Sequence, residues 1–296
     1  MEEIHTTKFS QDQFSALKKG LKSFPKINEL KAFVLSQYHQ DGGFKNPAGE
    51  IDVFSTAYGI MLAKALDIDF KESAIIEFLD SIRNYEKLEF IHLTHLCKAW
   101  AFLTEDALAA EEITKICAAL EMFRVQDHGY SLSFNAKASS IYGTYLGFEA
   151  YQNLGREIPN EVKALKTITD LRSRDGQWAT DKDLAQGNAS STNFAMSLLH
   201  ALEDEVPAIN IDYLLSQEAT KGGFLASAAM PFSDMQTTAI ALQNLHYQEK
   251  EIDKEKQKNF LQSLINDNGS IKNHERDENP SLESTFYGLV TLGLIA

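Results

Sequence analysis

One short turn recurs along this chain and constrains everything else. It reads Asp41-Gly42-Gly43-Phe44, Asp127-His128-Gly129-Tyr130, Asp175-Gly176-Gln177-Trp178, Lys221-Gly222-Gly223-Phe224 and Asp267-Asn268-Gly269-Ser270. Successive copies lie 86, 48, 46 and 46 residues apart. The first interval is two periods, so a sixth copy belongs near Asn84-Tyr85-Glu86, where glycine is missing. A period in the forties marks a repeat protein, in which each unit buries its apolar face only against its neighbours. Six units fill almost the whole chain.

Every unit has the same internal order. An amphipathic, charged helix comes first: Ile27 to Gln40, Lys71 to Asn84, Ala107 to Arg124, Asn160 to Arg174, Asn210 to Glu218 and Asp253 to Asn266. In the third of these, Ile113, Ile116, Cys117 and Leu120 mark one face at helical spacing. The glycine turn reverses the chain. The aromatic that follows is expected to pack between neighbouring units. A second helix, small and apolar nearly all round, then runs from Ser55, His92, Ser139, Ser191, Thr237 and Glu283. Such a helix is a buried one. Charged outer and uncharged inner helices predict an all-α fold, an (α/α)6 toroid, because an open stack would expose the inner faces. Residues 25–296 form the toroid on this reading, and residues 1–24 an N-terminal extension.

Composition narrows the function. The net charge of -14 disfavours nucleic acid and anionic membrane, since no basic cluster offsets it. No apolar run approaches the ~20 residues of a membrane span, and Met1 to Ser10, with Glu2, Glu3 and Lys8, lacks the layout of a signal peptide. Cys97 and Cys117 have no partner at metal spacing and read as buried thiols. Together these predict a soluble, cytoplasmic protein.

The aromatic-tailed turns resemble the repeats of protein prenyltransferase β subunits and squalene-type terpene cyclases. The stretch Gly49-Glu50-Ile51-Asp52-Val53-Phe54-Ser55-Thr56-Ala57-Tyr58 is similar to one inner-helix start of the former. The resemblance covers about residues 25 to 296 and implies the fold, an isoprenoid ligand, and a protein partner or homo-oligomer. It also implies sites that this chain alters. Where the prenyltransferases have Asp-x-Cys and a distant His for zinc, the chain has Asp234-Met235-Gln236 and Ser284, which disfavours zinc. The cyclases' Asp-x-Asp-Asp is absent; Asp181-Lys182-Asp183 has the rhythm but sits in a polar loop. Mg²⁺ stays a candidate cofactor, because carboxylates suit it.

The starts of the inner helices should line the lumen. Asp52, Glu89 and Asp234 are the candidate acids, bases or ion ligands; helix capping is the competing role for each. Tyr58, His92, His95, Tyr142, Phe194, Gln236, Glu283 and Tyr287 are the candidate substrate-binding residues. Glu89, His92 and His95 share a helical face and could meet a metal, or simply cap and pack. Two functions follow: an isoprenoid-handling enzyme with a non-standard site, or a non-catalytic toroid that binds a lipid, peptide or protein. A deep lumen with convergent acids marks the enzyme; a lumen filled by its own side chains marks the binding toroid.

Overall fold

The computed structural model describes residues 8–104, 108–180 and 184–296. Glu2, Glu3, Ala107 and the Asp181-Lys182-Asp183 stretch lie outside the described residues. After α1 (Lys8–Leu21), the outer helices are α2 (Ile27–Gln37), α4 (Glu72–Ser81), α6 (Ala110–Glu121), α8 (Glu161–Asp170), α10 (Ala208–Ser216) and α12 (Lys254–Leu264). The inner helices are α3 (Val53–Ala65), α5 (Phe90–Ala101), α7 (Ile141–Asn153), α9 (Ala189–Ala201), α11 (Met235–Tyr247) and α13 (Leu282–Ile295). Each inner helix packs on the next, and α13 returns to α3. The ring is therefore closed, and the expected all-α toroid of six helix pairs is the fold. Its sheet is a two-residue antiparallel ladder, Phe44–Lys45 against Ile51–Asp52. No helix among the described residues is long and apolar enough to cross a membrane.

A three-part device repeats in five of the six units. The inner helix is capped by Asp52, Ser140, Asn188, Asp234 or Ser281, each accepting the backbone N–H three residues on. Four residues after each cap stands a threonine. The hydroxyls of Thr56, Thr144, Thr192, Thr238 and Thr285 accept the backbone N–H of Phe44, Tyr130, Trp178, Phe224 and Ile271, at 2.9, 3.2, 3.3, 2.9 and 3.1 Å. Seven residues after the cap stands glycine or alanine: Gly59, Gly147, Ala195, Ala241 or Gly288. A Cβ on Gly59 would overlap the Phe44 ring. The turn's aromatic is thus seated on its own unit's inner helix, where the sequence reading placed it between units; Tyr130 also stacks on Phe90 of the unit before, centroids 5.8 Å apart. The second unit lacks all three parts. It has a short 3-10 turn at Tyr85–Lys87, no side-chain cap at Glu89, and Leu93 where threonine would stand.

The threonine latch is testable. Thr238→Val keeps the shape but leaves the buried Phe224 N–H without an acceptor, at a cost of about 1–3 kcal/mol. Chemical denaturation should show that loss, and an unchanged midpoint would remove the latch from the account.

Within residues 1–24, α1 closes one end of the barrel. It crosses α13 so closely that a Cβ on Gly293 would overlap the Ala16 carbonyl. Ser10 Oγ donates to Glu149 on α7 at 2.9 Å, the Tyr247 hydroxyl on α11 donates to Asp12 at 2.7 Å, and Phe14 meets Phe102 at 5.2 Å. These partners lie at the C-terminal ends of the inner helices. The glycine turns and helix caps are at the other end, which is the mouth.

Candidate functional site

Below the mouth the lumen is filled by its own aromatic side chains. On one side Tyr58 meets Phe54, Phe286 and Tyr287 at ring-centroid distances of 5.3, 5.4 and 5.9 Å, and Phe54 lies 4.3 Å from His95. On the other, Phe194 contacts Tyr142 at 4.7 Å and Tyr145 at 4.8 Å. Tyr58, His95, Tyr145, Phe194, Phe286 and Tyr287 are all buried. Deeper still, Lys98 on α5 and Glu149 on α7 form an ion pair at 3.1 Å with side chains only 7% and 5% exposed. The Lys98 ammonium also sits 5.5 Å from the Tyr58 ring centre. Among the described residues, the cavity between this core and α1 measures about 10 Å³, room for about one water.

Above this floor is a shallow vestibule of half-buried residues: Phe54, Tyr142, Asp234, Gln236 and Glu283. Glu283 is its chemical centre. Burial pushes its carboxyl from the ordinary 4.5 up to about 7, against the pull of the Lys98 charge. The Tyr58 hydroxyl donates to it at 3.5 Å and lies 3.3 Å from the Tyr287 hydroxyl. The Gln236 side chain faces the Tyr287 hydroxyl. Burial pushes the Asp234 carboxyl above the usual carboxylate range as well, with the neighbouring Thr237 N–H opposing it.

The candidate residues of the sequence therefore separate. Tyr58, His95, Tyr142, Phe194, Gln236, Glu283 and Tyr287 converge on the lumen. Asp52 and Asp234 stand at the rim as helix caps: Asp52 accepts from Ser55 N at 2.6 Å and Asn46 Nδ2 at 2.8 Å, and Asp234 from Thr237 N at 2.8 Å. Glu89 is in solvent, with His92 Nδ1 3.6 Å away and itself 42% exposed. His95 turns inward, its Nδ1 against the Ile91 carbonyl at 2.8 Å, and burial lowers it to about 3. So the Glu89, His92 and His95 triplet does not converge. No three His, Cys, Asp or Glu side chains among the described residues are placed to share a metal ion. Ser284, at the prenyltransferase histidine position, donates to the Ile271 carbonyl at 2.7 Å and accepts the Ser281 N–H in a capping box. These residues do not fit a three-ligand zinc site.

Lys98 and Glu149 escaped the sequence reading. The signal was there, since both are charged residues inside helices otherwise almost free of charge, and a buried charge needs a partner.

The family model of the prenyltransferase alpha-alpha toroid domain matches residues 2–88 and 191–295. No curated protein matches the chain by sequence. Among solved structures, the chain is similar to a type II terpene cyclase from Scytonema. In its complex with the substrate geranylgeranyl dihydroxybenzoate, that structure shares 14% identity at a TM-score of 0.63, over 96% of this chain and 98% of that one. Its apo form shares 15% identity at 0.61, over 94% and 97%. A protein geranylgeranyltransferase-I of Candida albicans complexed with GGPP shares 14% identity at 0.49, over 98% and 84%.

Proposed function

The chain belongs to the prenyltransferase alpha-alpha toroid family, and from that premise we propose that it is a non-catalytic member, a toroid that binds a partner on its surface. The observation that carries this reading is the filled lumen. Buried aromatic rings in mutual contact and a buried ion pair occupy the space where the family's fold leaves room for a ligand. A drug- or lipid-sized pocket needs several hundred Å³. The two rim carboxylates, Asp52 and Asp234, already accept backbone N–H groups as caps, a role that needs no chemistry.

One observation favours the second reading, an isoprenoid-handling enzyme. Glu283 holds a proton near neutral pH among tyrosine rings, which is how a general acid is prepared. On that reading Glu283 is the acid, Tyr58, Tyr142, Phe194 and Tyr287 shape the chain pocket, and the rings must part to admit substrate. Calorimetric titration with farnesyl and geranylgeranyl diphosphates, with and without Mg²⁺, separates the two. The binding-toroid reading expects no heat. Binding in the micromolar range, about -8 kcal/mol, would overturn it and move attention to Glu283.

A further inference from the structure

The two halves of α1 are held to the barrel differently. The second half is close-packed: Leu17 is fully buried, and Ala16 lies on Gly293 and Gly20 on Leu289, with no room for a Cβ on either glycine. The first half, Lys8 to Gln13, is held by polar contacts to α7 and α11. Ser10 Oγ donates to Glu149 at 2.9 Å, Gln243 Nε2 to the Phe9 carbonyl at 3.3 Å, and the Tyr247 hydroxyl to Asp12 at 2.7 Å. Around these contacts polar atoms are stranded. Gln13 Nε2, Gln243 Oε1 and both amide atoms of Asn153, one turn past Glu149 on α7, have no hydrogen-bond partner among the described residues. Gln13, Gln243 and Asn153 are 2%, 2% and 5% exposed. A buried amide atom without a partner costs stability, and water repays that cost when the seat opens. The first half of α1 therefore has the lower free energy of opening.

Beneath it is a recess that Phe9 fills. The Phe9 ring meets Tyr145 edge-on at 5.9 Å and Tyr247 at 6.4 Å, and Phe148, Leu198 and Ala201 complete the apolar wall. Glu149 stands at its edge, with Lys98 at 3.1 Å and the Ser10 hydroxyl at 2.9 Å. An apolar slot with a few placed polar groups is the usual form of a small-molecule site. Here Phe9 and Ser10 occupy it and leave about 10 Å³.

We infer that Lys8 to Gln13 are a detachable stopper over a ligand site at the closed end of the barrel, and that this site takes a small aromatic alcohol in place of Phe9 and Ser10. The inference goes beyond both readings of the mouth and depends on neither. Lys98 decides the class of ligand. It already gives Glu149 its counter-charge, so an incoming ammonium would leave one buried positive charge in excess, and an incoming anion one negative. Either is costly away from water. A neutral hydroxyl restores the donor that Ser10 withdraws. The apolar part must match a benzyl group, because the slot around Phe9 has room to spare for only about one water.

The probe is 2-phenylethanol, which joins the side-chain groups of Phe9 and Ser10 in one molecule. Titrated into the full-length chain, it should bind saturably with a dissociation constant of about 1 mM. Hydrogen exchange locates it. As the site saturates, the Asp12 and Gln13 amides should exchange at least ~10-fold faster, because ligand and stopper exclude each other, while the Lys18 and Lys19 amides stay protected. Ethylbenzene, without the hydroxyl, and 2-phenylethylammonium, with a charge, should each bind ~10-fold more weakly or not at all. Ser10→Ala should tighten 2-phenylethanol ~10-fold, since the resident hydroxyl no longer competes. Lys98→Met with Glu149→Leu should abolish the preference for the alcohol over ethylbenzene. No saturable binding to the wild type, binding that leaves Asp12 and Gln13 exchange unchanged, or binding without preference for the alcohol each overturns the proposal.

Discussion

Lys98→Met should be the most damaging single substitution in the lumen, with a loss of about 3–5 kcal/mol in chemical denaturation at neutral pH. Lys98 and Glu149 are almost wholly buried and 3.1 Å apart. Removing the ammonium leaves a buried carboxylate in the barrel, to which Ser10 Oγ still donates. The cost is the uncompensated charge, not the lost attraction alone. A second substitution makes the distinction. Lys98→Met with Glu149→Leu removes both charges and keeps the volume, so most of the stability should return. If the double variant is as unstable as the single one, the pair matters for shape, and the electrostatic account fails. Recovery would show that the lumen tolerates an all-apolar filling, as a toroid without lumen chemistry should.

Lys98 and Glu149 also show where sequence reasoning ends. The turns, the period and the two helix classes are local patterns, and Asp41 to Phe44 or Asp175 to Trp178 display them in four residues each. The ring follows from their repetition. The threonine latch was equally legible, at a fixed distance after each cap, once the caps are aligned. The missing turn near Asn84 and the absent latch at Leu93 are one irregularity seen twice. Lumen contents are different. Which of Tyr58, Tyr145 or Phe194 points inward, and how tightly they meet across the ring, depends on side chains separated by tens or hundreds of residues. Glu149 finds both Lys98 and Ser10 only after closure. Nothing local marks α1 as the piece that shuts the barrel, since its seat on α13 is set by the small residues Gly20 and Gly293 of two distant segments. The rim acids carry two readings for a related reason: Asp52 and Asp234 occupy positions where capping and catalysis want the same residue type.

Glu283→Gln should make the protein more stable at pH 8, by roughly 2–3 kcal/mol, and leave it unchanged near pH 4. The folded carboxyl binds its proton up to about 7, whereas its ordinary value is 4.5. Between those limits the folded state holds a proton that the unfolded state has released, so stability falls as pH rises through the interval, by about 1.4 kcal/mol per pH unit. Above pH 7 the full cost is present. Glutamine keeps an acceptor for the Tyr58 hydroxyl and has no charge to bury. His95 runs the other way. Its ring is held neutral down to about 3 against an ordinary 6.5, so its contribution is complete above pH 6.5 and is lost as pH falls toward 3. From pH 4.5 to 6.5 the two slopes oppose each other, and their joint contribution to the wild-type profile should be nearly flat there. In Glu283→Gln the histidine slope stands alone, and stability should climb with pH over the same range. Thermal or urea midpoints across pH 4–8 check both statements. A variant less stable than wild type at pH 8 would mean that the ionised carboxylate is favoured in the vestibule, and Glu283 would then be an anionic ligand site, not a held proton.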